Sequence, residues 1–157
     1  MSAAPRPRPS LRVVALRVGL AALALLVLIQ LVPYGRDHDD PPVTRAARLD
    51  PGTRAIVAEA CADCHSNRTR WPWYTNVAPA SWFAQSDVDG GRETLNFSEW
   101  DLPQREAGEA AEEVQKGKMP MPIYLPLHPD ARLTADERQA LVRGLQATVA
   151  NDRPRRR

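Results

Sequence analysis

An all-α domain behind one apolar N-terminal segment is the fold class this sequence predicts, on three observations. Of 157 residues, 15 are proline, three tyrosine and two phenylalanine, a composition that favours helices joined by stiff loops over a strand-rich sandwich. A dense apolar block fills much of the first 32 positions, which leaves roughly 120 residues for one small core. Further on, apolar residues recur at helical spacing around Val57, Val114 and Leu141. Two cysteines in the whole chain exclude a multi-disulfide scaffold.

Charge is distributed unevenly, and the overall +2 hides it. Arg6, Arg8, Arg12 and Arg17 open the chain and Arg153, Arg155, Arg156 and Arg157 close it; between them stand 13 basic and 19 acidic residues. An acidic body with a short basic tail lacks the concentrated basic face of a nucleic-acid binder, so no nucleic-acid partner is expected. The tail, 151–157, reads as a solvated end.

Taken in order, the chain begins with a basic stretch, 1–12, followed by the apolar run 13–32. Twenty helical residues cover roughly 30 Å, the hydrocarbon thickness of a bilayer. Arg17 lies near enough to one end to snorkel. Positive charge before the run and Asp37, Asp39 and Asp40 after it place the N-terminus in the cytoplasm and the remainder on the periplasmic side of an inner membrane. A cleaved secretory signal has the same basic start and apolar centre, but Gln30-Leu31-Val32-Pro33-Tyr34-Gly35 offers no A-x-A site, so an uncleaved signal-anchor is expected. Residues 33–44, charged and proline-bearing, read as a tether in which His38 is solvated.

The domain proper, 45–150, starts with a helix that Asp50 caps and Pro51 opens. Cys61-Ala62-Asp63-Cys64-His65 follows, a C-x-x-C-H sequence and the attachment signature of haem c. Residues three apart on a helix share a face, so both thiols can reach one edge of a porphyrin while His65 turns a ring nitrogen to the iron. A structural zinc site wants four ligands, and only His38 and His128 remain to complete it. A thioredoxin-like pair would need a preceding strand in a βαβ setting, where this sequence is helical.

A second axial ligand is sought among Met119, Met121 and His128. Met119 and Met121 lie in Lys118-Met119-Pro120-Met121-Pro122, an extended proline-stiffened loop able to hold a thioether over the ring. Of the aromatic residues, Trp71 and Trp73 stand close enough after His65 to wall a porphyrin against water, whereas Trp82, Phe97 and Trp100 read as core. Arg70 and Arg92 are available for propionate pairing. Ala107, Ala110, Ala111 and Val114 mark a short helix that stops near Gly117. Thr134-Ala135-Asp136-Glu137 is a capping box, and it opens a last helix along Leu141, Leu145 and Val149. Gly144 interrupts that helix at a cost of about 1 kcal/mol relative to alanine, which predicts a close crossing with the helix before Cys61.

In order and spacing, C-x-x-C-H at 61–65, Trp71-Pro72-Trp73-Tyr74, Leu95-Asn96-Phe97-Ser98-Glu99-Trp100, Met119-Pro120 and His128-Pro129 resemble the haem-binding domain family of small membrane-anchored c-type cytochromes. The resemblance covers about residues 38–148. It implies a cytochrome c-like mono-haem fold, with Cys61 and Cys64 as thioether attachments, His65 as proximal iron ligand and Met119 as distal ligand, Met121 and His128 being the alternatives. The function expected is electron transfer through one covalently attached haem c, tethered near redox partner proteins at the membrane. A haem-based sensor, or less readily a peroxidase-like enzyme, with a displaceable distal ligand is the alternative reading, and no catalytic protein residue is identified.

Overall fold

The computed structural model describes residues 10–155; Arg6, Arg8, Arg156 and Arg157 lie outside them. Six α-helices and two short 3-10 turns make up the architecture, and no strand occurs among the described residues. Isolated parallel bridges join Arg45 to Glu99 and Pro103 to Arg155, so the basic tail runs back along the domain at least as far as Arg155.

Helix α1, Leu11–Ile29, is apolar on all sides, with a mean hydropathy of 2.3 and no buried residue. A soluble helix of this kind has nothing to bury against; it is long and apolar enough to cross a membrane, as an anchor or a signal sequence would be. Only its last turn touches the rest of the chain. There the Gln30 side chain donates to Ala78 O at 2.9 Å and accepts from Ala78 N at 3.0 Å.

Residues 33–44, expected as a free tether, are instead laid along the domain. Gly35, at φ 75, is buried against the Ser81 backbone, where any Cβ would collide. Arg92 donates to Asp39 O at 2.7 Å, to Asp40 Oδ1 at 2.7 Å and to Ser66 O at 2.8 Å. His38 stacks on Trp71 with centroids 4.5 Å apart and meets the Thr75 hydroxyl at 3.0 Å. Composition suggested solvation; the buried donors of Arg92 and the ring of Trp71 supply partners that composition cannot show.

Helix α2, Pro51–Ala60, begins as expected, with Asp50 Oδ1 accepting from Gly52 N at 3.0 Å and Thr53 N at 3.1 Å. It does not continue through the C-x-x-C-H stretch. Cys61, at φ −132, breaks the helix, and α3, Ala62–His65, is a separate turn. The Cys61 carbonyl nevertheless accepts from Cys64 N at 3.2 Å and His65 N at 2.9 Å, which keeps the motif compact. A 3-10 turn at Trp73–Asn76 leads to α4, Ala80–Thr94, whose glycines and polar residues left no strong apolar stripe in the sequence.

Helix α5, Ala110–Gln115, is short. Gly117 terminates it at φ 71, donating to Val114 O at 3.1 Å while Lys118 N reaches Glu113 O at 3.0 Å. Helix α6, Ala135–Asn151, carries the expected capping box: Glu137 N donates to Thr134 Oγ1 at 3.2 Å, and Thr134 N to Glu137 Oε2 at 2.8 Å. The core lies where α2, α5 and α6 meet the segment 95–100, with Leu141, Trp100, Val57 and Val114 buried. Fully burying a side chain of that size contributes roughly 1.5–3 kcal/mol. Phe97 stacks on Trp100 at 5.9 Å, as core residues should. Trp82 does not join them; it is half-buried on α4, outside the core cluster.

The predicted close crossing is present. A Cβ on Gly144 would overlap Thr53 Oγ1 and lie 2.8 Å from Thr53 Cβ, so α6 passes α2 at a separation only glycine permits.

Candidate haem site

Cys61, Cys64, His65, Met119 and Met121 are brought to the wall of one cavity of about 300 Å³. Three chain segments build it: the α2–α3 joint supplies the cysteines and the imidazole, α4 the wall of Gly90 and Gly91, and the loop after α5 the methionines. Helix α4 can approach so closely because Gly91 has no side chain; a Cβ there would collide with Cys64 O and lie 3.0 Å from Cys64 Cβ.

That approach fixes the imidazole. His65 Nδ1 lies 3.1 Å from Gly91 O and 3.0 Å from Leu95 O. Both partners are carbonyl acceptors, so Nδ1 carries the proton and Nε2 keeps its lone pair. Burial lowers the His65 pKa, partly offset by those two carbonyls, and the ring is held in the neutral form that binds a metal. Burial pushes both thiols up to about 12, the pair of sulfurs adding to it at Cys61 and neighbouring Asp87 and Asp63 at Cys64. Neither cysteine is in a disulfide.

On the same cavity, Met119 also packs against the hydrophobic core, whereas Met121 does not. Tyr124 braces this loop. Its hydroxyl donates to Asp63 Oδ2 at 2.6 Å, tying the methionine segment to the residue between the two cysteines. Asp63 is buried and also accepts from Arg70 N at 3.0 Å and Arg70 Nε at 3.1 Å. Arg70 pairs with Asp63 and Glu59, and Arg92 with the Asp39 carbonyl and the Asp40 carboxylate.

Trp71, Trp73 and His128 line a second cavity, of about 440 Å³, which shares Asp63, Cys64, Asp87 and Tyr124 with the first. Trp71 is half-buried and Trp73 exposed. His128 is held away from the first cavity by three contacts: its ring stacks on Tyr124 at 3.6 Å, Nδ1 lies 3.0 Å from Tyr124 O, and Nε2 lies 3.0 Å from the Tyr74 hydroxyl. No group of three or more His, Cys, Asp or Glu side chains able to hold a metal ion occurs among the described residues, which leaves a zinc site without its ligands.

Sequence reasoning missed Gly91, Asp63 and Tyr124. The Gly90-Gly91 pair inside a helix was a readable sign of close backbone approach; nothing in the sequence marks Tyr124 as a partner of Asp63, because 61 positions separate them.

Residues 24–147 match the family model of the haem-binding domain. The chain belongs to the haem-binding domain family. Searches of curated proteins and of solved structures find no match. The donor set fits the family's ligand: two adjacent sulfurs, an imidazole with one nitrogen anchored and the other free, and a thioether on the same cavity.

Proposed function

We propose that this haem-binding domain protein is a membrane-tethered mono-haem c-type cytochrome of cytochrome c-like fold, which transfers electrons to and from redox partner proteins at the membrane. The observation that carries the reading is the shared cavity: Cys61, Cys64, His65 and Met119 converge on it, and His65 is already locked in the ligating tautomer.

Each residue then has a task. Cys61 and Cys64 would hold the haem through their sulfurs, one thioether to each vinyl group, an addition that involves no net oxidation. His65 Nε2 would be the proximal ligand, its ring oriented by Gly91 O and Leu95 O. Met119 would supply the distal thioether, its loop braced by Tyr124 on Asp63; core packing favours it over Met121. Trp71 and Trp73, on the adjoining cavity, would help exclude water from the ring. Bound iron supplies the one-electron Fe(III)/Fe(II) couple, and no protein group needs to move a proton.

The α1 segment is read as a retained anchor in the inner membrane, with the domain on the periplasmic side, where it holds the domain at high effective concentration near membrane partners. The test is expression with the machinery for covalent haem attachment. The full chain should be coloured and keep its pigment in acidified acetone, and the Cys61→Ala/Cys64→Ala pair should lose it. Met119→Ala should convert a six-coordinate spectrum into one that binds carbon monoxide, with Met121→Ala unchanged. Pigment that extracts from the unaltered chain would end the covalent reading; carbon monoxide binding by the unaltered chain would favour ligand sensing.

A further inference from the structure

Trp71 carries a buried polar atom that the fold leaves without a partner. Its indole Nε1 is shielded from solvent and meets no acceptor among the described residues, although a buried donor left unpaired is costly and a buried indole N–H usually finds an acceptor. The ring itself is held firmly. His38 stacks on it at 4.5 Å with the planes 12° apart. His38 is fixed in turn by the Thr75 hydroxyl at 3.0 Å, its own backbone at φ 51, a left-handed conformation uncommon outside glycine. A donor oriented this closely and lacking a partner in its own chain requires an acceptor from a ligand.

The charges on the two cavities decide what kind of acceptor. Asp63, Cys64, Asp87 and Tyr124 border both, so they do not distinguish one from the other. Glu106 borders the first alone, where no arginine or lysine accompanies it. Arg70 and Trp71 border the second alone. Arg70 is paired with Asp63 and Glu59, yet its side chain is 54% exposed, and it is the only arginine or lysine on either wall. An anionic group is disfavoured beside Glu106 and finds a donor and a cation together beside Trp71.

Haem brings two carboxylates, both on the half of the ring remote from its vinyl groups. With the vinyl half at Cys61 and Cys64, and with Cys64 common to both cavities, the propionate half has a path from the first cavity into the second. We propose that Trp71 Nε1 donates a hydrogen bond to a haem propionate, so that the two cavities form one slot, the first taking the thioether half of the ring and the second its carboxylates. The assignment rests on the covalent-haem reading and adds to it a named donor for the anionic edge. Through His38, it also gives the 33–44 segment a part in orienting the cofactor.

The test uses the unaltered holoprotein, matured with the machinery for covalent haem attachment, reduced, and examined by NMR with nitrogen-labelled tryptophan. The indole proton of Trp71 is identified by its absence from Trp71→Phe or, should that variant not accumulate, by its proximity to the His38 ring. It should show nuclear Overhauser effects to the propionate methylenes. Trp71→Phe keeps a ring on His38 but has no N–H, and should shift the propionate bending band of the resonance Raman spectrum. Trp82→Phe should leave that band in place, since it removes an indole N–H that is likewise buried and unpartnered but borders neither cavity. A Trp71 indole proton that is close to no haem proton, or only to methyl or meso protons, overturns the proposal and leaves covalent haem standing. A propionate band unmoved by Trp71→Phe, or moved equally by both variants, does the same. Pigment that extracts from the unaltered chain into acidified acetone overturns the covalent reading and this assignment with it.

Discussion

Single side chains in this protein act through the partners that the fold gives them. Tyr124 is the clearest case, because among the described residues its hydroxyl is the only side-chain donor besides Arg70 that reaches the buried Asp63 carboxylate. Tyr124→Phe removes that bond while keeping the ring stacked on His128. Loss of a hydrogen bond to a charged group costs roughly 1.5–3 kcal/mol; Arg70 keeps Asp63 paired, so the lower end is expected, read as a reduced urea midpoint. The methionine loop should also loosen, visible as partial carbon monoxide binding that the unaltered protein does not show. Asp152 offers a test by pH. Burial alone would raise its pKa, but hydrogen bonds from Arg45 at 2.8 Å and from Arg48 N at 3.0 Å outweigh burial and hold it below the ordinary carboxylate range. A depressed carboxylate stabilises the fold above its unfolded pKa, near 3.9, and that stabilisation disappears as pH falls through the folded value. Asp152→Asn should therefore lower stability at pH 7, by less than about 1 kcal/mol because solvent screens the pair, and the gap between the two proteins should close as the pH drops below about 4. Denaturant titrations at both pH values would show it.

Elements pack here through glycines more than through large apolar faces. The α2–α6 contact is set by Gly144 against Thr53, and the α3–α4 contact by Gly91 against Cys64. Gly144→Ala isolates the effect, since alanine improves the helix itself by about 1 kcal/mol; a net loss can come only from the crossing. Overpacking of a tight contact costs about 1–3 kcal/mol, so the melting temperature should fall for Gly144→Ala and further for Gly144→Leu. Thr53→Ala should restore part of the loss in a double-mutant cycle, because it removes the overlapping hydroxyl and methyl while leaving the Cβ. An unchanged melting temperature in Gly144→Ala would show that the helices can separate freely. Much of this level was legible in the sequence. Asp50, Gly117, the Thr134–Glu137 box and Gly144 announce themselves because caps, stops and crossings depend on residues a few positions apart or on one missing side chain. Two things were not legible: α4, whose burial comes from neighbours brought by the chain's path and not from its own periodicity, and the break at Cys61, where tertiary packing interrupts a pattern that would otherwise continue as helix.

At the scale of the whole molecule, the apolar helix α1, the 33–44 segment and the α3 turn are joined into one unit by few contacts. The C-x-x-C-H motif was legible as a candidate site because its residues are neighbours in sequence, and the methionine loop because prolines frame it; the fold brings both to one cavity. The docking of 33–44 could not, since its partners lie from 25 to 57 positions away and its own charges suit water equally well. Arg92 is the rivet of that arrangement. Its side chain is only 13% exposed and spans Ser66 at the end of the haem-site turn, Thr69, and the backbone and carboxylate of Asp39 and Asp40. A flexible tether with this composition would be cut rapidly at Arg36 by trypsin, whereas a docked one resists until the domain opens locally. The unaltered protein should therefore survive brief proteolysis with α1 attached. Arg92→Ala should be cut at Arg36 much faster, because Asp40 and two carbonyls lose their donor at once, and global stability should drop by roughly 2–4 kcal/mol as several partly buried acceptors go unpaired. Arg92→Lys should resemble alanine more than arginine, since a single ammonium cannot reproduce a planar fork that reaches four partners. If Arg36 in the unaltered protein is cleaved as fast as in Arg92→Ala, the segment is a tether after all, and α1 is not held in place against the domain.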